Sequence, residues 1–346
     1  MAQAVGLDAR ESTPCGAPHE YPKTEQFPPL DLGGGERCAA MRSSTRPLVS
    51  WLLVLSAAVG SQAAEPVRFS ITADNRGHSG FANILKQIAK LPGGAGLFML
   101  SAGDAEPPQT TRSQLDDVLG KSFVWYPVMG NHELNAKPPD PPAAYVEWLR
   151  EYYDKKLKGK VNPGPEGAKE TCFSFDVGDV HIAVINQYWG GEAEPGNDRV
   201  GWGTAVKELR KWLADDLQKS PNAWKLVVGH EPAYPQPDRD WDAARHSRDA
   251  FTLDLKTRQR FWTVLEEQGV AAYVCGHTHR YSRYQPEGSK VWQIDVAQAR
   301  GDKSWQYDAF VIVTADAKSL EFDTYRNLKK QGEFELTDSL KLKAAE

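Results

Sequence analysis

Cysteine is scarce in this chain, with four residues in 346. Cys15 and Cys38 fall within the first 40 residues, a stretch rich in Pro and Gly with no hydrophobic periodicity. Only Cys172 and Cys275 remain, so no framework of disulfides can organise the fold. A bridge between those two stays open but is not the expected reading; Cys275 closes an apolar run and reads as a small buried residue. An excess of one charge is lacking as well. With 41 Lys+Arg against 46 Asp+Glu, the formal net charge is -5, which gives no global steering toward nucleic acid or an anionic membrane. A long hydrophobic run is also missing. The apolar segment from Pro47 to Val59 falls short of the roughly 20 residues that cross a bilayer.

That short segment has a different reading. It follows Met41-Arg42-Ser43-Ser44-Thr45-Arg46, basic and headed by a second methionine, and precedes the small residues Ser61-Gln62-Ala63-Ala64. The order of basic, apolar and small residues is that of a cleaved secretory signal, with a membrane anchor or a buried helix as the alternatives. Residues 1–40 are then expected to lie upstream of the true start. Residues 41–63 form the signal, and 64–346 a single domain in the periplasm or outside the cell, free of the membrane after cleavage. Residues 1–63 carry 5 basic and 6 acidic side chains, so 36 Lys+Arg would face 40 Asp+Glu in the mature chain.

What is present is the composition of an ordinary globular enzyme, 40% hydrophobic and 25% charged. Val67 to Thr72 reads as a strand, and Phe81, Ile84, Leu85 and Ile88 mark one face of a helix stopped by Pro92-Gly93-Gly94. Short strands follow at Leu97 to Leu100 and Phe123 to Met129, then a helix at Ala143 to Leu157. The runs flanking Val177-Gly178-Asp179 predict an antiparallel hairpin, which makes the sheet arrangement mixed. Thr204 to Lys219 and Thr257 to Gln268 read as helices, each before a strand, Lys225 to Val228 and Val270 to Val274. Val291 to Val296, Ala309 to Thr314 and Leu320 to Arg326 add late strands without helices between them. No internal repeat is visible.

Five short polar segments each follow an apolar run: Asp74-Asn75-Arg76, Gly103-Asp104, Gly130-Asn131-His132-Glu133, Gly229-His230-Glu231 and Gly276-His277-Thr278-His279. They place Asp74, Asp104, Asn131 and four of the chain's eight histidines at strand ends, where an α/β scaffold sets its binding loops. Imidazole nitrogen and carboxylate oxygen are ligands for borderline divalent ions, and an aspartate can serve two metals at once. The pattern reads as a metal site.

In this order the segments resemble the calcineurin-like metallophosphoesterase superfamily, whose pattern is D-x-H, G-D, G-N-H-[DE], G-H and G-H-x-H. The resemblance spans about residues 67 to 325. It implies a four-layer α/β/β/α sandwich with mixed sheets, the loops meeting at one edge. It also implies two divalent metal ions, Mn, Zn or Fe, and hydrolysis of a small phosphomonoester or phosphodiester by a metal-bridging hydroxide. Carried over by position, Asp104 would bridge both metals, Asn131, His230 and His277 would complete one site, and Asp74 with His279 would hold the other. His132 would sit by the leaving-group oxygen as general acid or electrostatic stabiliser.

The first motif departs from this pattern, because Arg76 stands where the family has a metal-binding histidine. A guanidinium stays protonated and offers no lone pair, so Arg76 cannot ligate. Its planar donors suit phosphate oxygens, which gives it a place among the catalytic residues beside His132. A salt bridge to Asp74 or to a surface acid is the other reading. Three consequences stay open: a first site completed by water, a replacement ligand such as His78, or a single metal. The expectation is an active two-metal enzyme with an altered first site. The alternative is a weakened, single-metal protein that binds a phospho-ligand or acts as a scaffold. Purple acid phosphatases, a branch of the same superfamily, also lack that histidine and use a tyrosine three residues after the second-motif aspartate; here Pro107 stands there, so an iron–tyrosinate site is not expected.

The remaining aromatics and histidines are weaker signals. Trp189, Trp202, Tyr234 and Trp241 could frame a leaving group or pack beneath surface loops. His181 reads as strand packing and His246 as a solvated loop residue.

Overall fold

The computed structural model describes residues 65–134, 142–191, 205–241, 244–246, 254–301, 307–329 and 333–344. Residues 1–64, which include the expected signal at 41–63, and Trp202 lie outside the described residues. Two mixed sheets form the centre. The first contains β1 (Val67–Thr72), β2 (Phe98–Ser101), β3 (Val124–Pro127), β11 (Ala309–Ala315), β12 (Ser319–Arg326) and β13 (Glu335–Lys343), in the order β13-β12-β11-β1-β2-β3. The second contains β4 (Asn162–Pro163), β5 (Phe173–Val177), β6 (Val180–Val184), β7 (Trp224–Val228), β8 (Ala272–Cys275), β9 (Tyr281–Tyr284) and β10 (Trp292–Val296), in the order β4-β5-β6-β7-β8-β10-β9.

The two sheets meet through aromatic rings: Tyr126 of β3 stacks on Phe175 of β5 at 4.0 Å, and Phe98 of β2 meets the same ring edge-on at 5.4 Å. Such contacts bury large apolar area and fix the facing strands, because offset and edge-on ring pairs are directional. Helices cover the remaining faces. In α1 (Phe81–Lys90) the residues Phe81, Ile84, Leu85 and Ile88 are buried, the spacing of one helical face. After the short α3 (Asn131–Leu134), Trp148 and Tyr152 of α4 (Pro142–Tyr152), which continues as a π-helical turn at Tyr153–Leu157, pack on Trp125 of β3. On the second sheet, α5 (Lys207–Lys219) and α6 (Leu255–Glu267) share a separate apolar cluster with Ala183, Val227 and Tyr273.

Several expectations hold with adjusted ends; the helices from Thr204 and Thr257 begin at Lys207 and Leu255. The hairpin at Gly178 is β5–β6, antiparallel as read. Cys172 and Cys275 are buried and unbridged. Helix α2 (Pro108–Leu119) and strands β4, β9 and β13 were not anticipated. No helix among the described residues is long and apolar enough to cross a membrane.

His181 is strand packing with a charge attached. Its Nδ1 lies 2.8 Å from Asp176 on β5 and its Nε2 3.0 Å from Asp216 on α5. Burial lowers the imidazole pKa, but the two carboxylates outweigh it and the net shift is upward. A raised folded-state value stabilises the fold below the ordinary value of about 6.5 and loses that contribution as pH rises through the shifted one. His181→Gln is therefore expected to destabilise the protein more at pH 5.5 than at pH 9 in denaturant unfolding; an equal loss at both would remove the charge from this account.

Candidate metal centre

All five polar segments leave the carboxyl ends of strands, Asp74, Asp104 and Asn131 after β1, β2 and β3 of one sheet, His230 and His277 after β7 and β8 of the other. Within each sheet these strands run parallel, so the loops emerge on one side. Backbone bonds then stitch the two sets together. Asp74 N–H donates to Gly103 O at 3.0 Å and Gly276 N–H to His230 O at 2.9 Å. Across the sheets, His277 N–H donates to Asp74 Oδ2 at 2.8 Å.

The backbone at this edge is strained. Among the described residues, Asp74 (φ 53), Arg76 (φ 50), Asp104 (φ 55), His246 (φ 50), His277 (φ 72) and His279 (φ 58) are all left-handed, a conformation that costs a non-glycine residue energy. Two glycines make room for ligands. A Cβ on Gly103 would overlap the His230 ring, and one on Gly130 would overlap the Asp104 carboxylate.

The side chains converge as acceptors. His230 Nδ1 lies 2.7 Å from the carbonyl of Ala102, which can only accept, so Nδ1 carries the proton and Nε2 presents its lone pair inward. That Nε2 stands 3.1 Å from Asn131 Oδ1, 3.3 Å from Asp104 Oδ1 and 3.3 Å from His277 Nδ1. His277 Nδ1 is in turn 3.1 Å from Asn131 Oδ1. On the other side of Asp104, His279 Nε2 lies 3.2 Å from Asp74 Oδ1, and ligand atoms of Asp74, Asp104 and His279 fall within 4.8 Å of one another. Asp74 Oδ1 and His279 Nδ1 are buried without a hydrogen bond. Lone pairs facing lone pairs in a buried pocket call for a cation, and this donor set of carboxylate, amide and imidazole suits a divalent ion.

The carboxylates respond to this crowding. Burial tends to raise Asp74, but the rings of His279, His230 and His277 outweigh it and hold the carboxyl well below its ordinary range. Asp104 is pushed well above it, first by burial and then by the charges of Asp74 and Glu106. His132 sits at the rim, its Nε2 3.7 Å from Asp104 and its Nδ1 3.6 Å from Glu106. Burial and the charge of Arg76 hold its imidazole down at about 3.

Arg76 does not pair with Asp74. Its Nε donates to Glu106 Oε1 at 2.8 Å, so the guanidinium turns toward the second loop. Glu106, two residues past Asp104, touches both Arg76 and His132 and was not picked out from the sequence. Nor was the work of Glu133, whose buried carboxylate accepts N–H bonds from Asp104 at 3.1 Å, Ala105 at 2.7 Å and Gly130 at 2.7 Å. Gln187 does the same for the fourth loop, its Oε1 accepting the N–H groups of His230 and Glu231 at 2.7 and 2.8 Å. His246 is an exposed loop residue, as expected, and its ring also lies 4.7 Å from that of His277 and 6.2 Å from that of His279. His78 meets Gly80 N–H through Nδ1 at 3.4 Å and is not in the Asp74 group. Trp189 is buried in the second apolar cluster, the half-buried Tyr234 packs on Trp262, and Trp241 is partly exposed against Tyr307.

A fold of two facing mixed sheets with a carboxylate–imidazole cluster at one edge defines a metallophosphoesterase architecture. The calcineurin-like phosphoesterase model matches residues 68–281, and the chain belongs to that family. Purple acid phosphatase 21 of Arabidopsis thaliana is 24% identical over 233 residues, covering 64% of this chain and 46% of the relative. Purple acid phosphatase 17 of the same plant is 24% identical over 251 residues, covering 65% of this chain and 64% of the relative. The chain thus spans less than two thirds of either relative's length. Among solved structures, that of PhoD superposes with a TM-score of 0.55 at 11% identity, covering 82% of this chain and 70% of that one, a likeness of fold. Pro107, at the position where the purple acid branch carries its tyrosine, precedes α2 and has no ligand atom to offer.

Proposed function

We propose that the chain is a metal-dependent phosphoesterase acting on a small phosphomonoester or phosphodiester. One cation would be held by Asp74, Asp104 and His279, and the other by Asp104, Asn131, His230 and His277. The observation that carries this reading is the convergence of Asn131 Oδ1, Asp104 Oδ1, His230 Nε2 and His277 Nδ1 within 3.1–3.3 Å contacts, with one side of His230 locked by a carbonyl. Two cations bound there would supply an activated water and neutralise phosphoryl charge.

The chain's own residues would do the rest. Glu133 fixes the backbone of the second and third loops, so Asp104 and Asn131 are aimed before anything binds. His132 is accessible at the rim and neutral at ordinary pH, and a substrate dianion beside it would oppose the shift that keeps it so. It would then hold a proton at a ring nitrogen for the leaving-group oxygen. Arg76, with one edge on Glu106, keeps other N–H groups for phosphoryl oxygens. Export to the periplasm or medium belongs to the same reading; it rests on the pattern of residues 41–63, and N-terminal sequencing of the native protein checks it.

Arg76 also favours a second reading, a single-metal protein that binds a phospho-ligand without turnover, because it stands where the family has a ligand and its guanidinium offers no lone pair, which leaves the first site one ligand short. Chromogenic aryl phosphate mono- and diesters with added manganese or zinc separate the two. Hydrolysis that a chelator abolishes and metal restores is the expected result. Absence of hydrolysis on both esters with every metal would overturn the catalytic reading.

A further inference from the structure

Strand β10 stands between β8, which leads into the turn that carries His277 and His279, and β9, which leaves it. It runs parallel to the first and antiparallel to the second, so the turn at 276–280 passes over the carboxyl end of β10. Asp295 lies next to that end. It is buried, in register with Cys275 on one side and Ser282 on the other.

The Asp295 carboxylate ties two segments together. Its Oδ2 accepts the Thr278 hydroxyl at 2.6 Å, and its Oδ1 accepts the N–H of Ala297 at 3.1 Å. Thr278 stands between the two histidines, buried like them, and its hydroxyl oxygen also accepts the N–H of Arg280 at 3.1 Å. Ala297 opens the segment whose Ala299 N–H donates to Ala73 O at 2.9 Å, next to Asp74. One side chain thus reaches both the fifth loop and the stretch of chain that lies against the first.

The turn needs such a hold. His277 and His279 have φ 72 and 58, and Ala297 has φ 66, left-handed values that persist in non-glycine residues where the surroundings impose them. Both ends of the turn are fixed independently. Gly276 N–H donates to His230 O and His277 N–H to Asp74 Oδ2 at the entry, and Tyr281 N–H donates to the Tyr307 hydroxyl at 2.7 Å at the exit. A Cβ on Gly276 would overlap Ala73 Cβ and Asp74 Oδ2, so the entry is pressed against the first loop. The side-chain anchor of the middle is the Thr278 hydroxyl. A rotation of that middle about its fixed ends would swing both rings, and metal–ligand distances tolerate only about 0.2 Å.

We propose that Asp295 and Thr278 are positioning residues of the metal centre: their hydroxyl–carboxylate bond fixes the chain between His277 and His279, so that both rings are set before any metal binds. The inference rests on the metal-dependent reading above, in which the two histidines belong to different cations. One bond outside the ligand set then bears on both sites. Neither residue is a ligand, and each acts through the histidines.

Manganese titration by calorimetry on the full chain tests this with three variants. Thr278→Val keeps the shape of threonine without the hydroxyl, Thr278→Ser keeps the hydroxyl, and Asp295→Asn can accept at only one of its two side-chain ends. Thr278→Val should weaken every binding step by about 10- to 100-fold, the usual loss when a supporting group behind a ligand is removed. Thr278→Ser should recover most of that affinity, and Asp295→Asn should fall between them. Denaturant unfolding of the metal-free Thr278→Val protein should remain cooperative, because the ends of the turn keep their bonds; if the variant does not fold, Asp295→Asn carries the test. Wild-type affinity in a folded Thr278→Val, equal losses in the Val and Ser variants, or wild-type affinity in Asp295→Asn where it stands alone overturns the proposal. If the wild type takes up no metal, the metal reading fails by itself and NMR of the histidine rings decides the positioning. The His277 and His279 signals should then move in Thr278→Val and stay in place in Thr278→Ser; signals that do not separate the two variants overturn it.

Discussion

Replacing His132 with alanine is expected to lower kcat on an alkyl phosphoester by about 10² to 10⁴, the usual contribution of a positioned proton donor. Metal content should stay near that of the wild type, because the ring reaches the Asp104 carboxylate only at 3.7 Å, while the His132 backbone N–H that bonds Asp104 Oδ1 at 3.0 Å survives the substitution. The loss should be smaller on a p-nitrophenyl ester, whose leaving group departs without a proton. Turnover equal to wild type on the alkyl ester would take the acid role away from His132. An equal loss on both esters would point instead to charge stabilisation of the phosphoryl group.

Glu133→Ala is expected to cost several kcal/mol of stability. Three buried N–H groups, those of Asp104, Ala105 and Gly130, would lose their acceptor. Each unsatisfied buried donor costs about 1–3 kcal/mol, and water entering the space would recover some of it. The same loops carry Asp104 and Asn131, so metal affinity should also fall by about 10- to 100-fold, as when a supporting group behind a ligand is removed. Denaturant unfolding and a metal titration of the variant measure the two effects. A variant with wild-type stability would show that the three N–H groups find other partners, and one with wild-type metal binding would show that the loops hold their shape unaided.

The five loops could be read from the sequence because each is a contiguous polar segment closing an apolar run, and strand ends are local features. Their convergence is not local. His277 meets Asp74 across more than two hundred residues of chain, and it takes the pairing of β1 with β2, β2 with β3 and β7 with β8 within the sheets, and the packing of the two sheets on each other, to bring the segments to one edge. Glu106 was missed because nothing near Asp104 shows that its carboxylate sits between Arg76 and His132. The same is true of Gln187, which lies in the turn after a hairpin strand and acts on a loop 43 residues later. His246 lies in a polar stretch without periodicity, so its sequence surroundings give its exposure but not the approach of its ring to those of His277 and His279. Helix α2 buries only Pro108, Thr111 and Leu115 and so has a weak apolar stripe, and β13 alternates burial with charged residues of the kind that protect a sheet edge.

The central claim is a two-cation centre shared through Asp104. Metal analysis of the purified chain and of Asp104→Ala, each dialysed against the same manganese or zinc buffer, tests it most directly. The account predicts two equivalents per chain in the wild type and a marked loss at both sites in the variant, since the shared carboxylate serves each. One equivalent in the wild type would support the single-metal reading that Arg76 raises; a full complement retained by Asp104→Ala would contradict the centre as described.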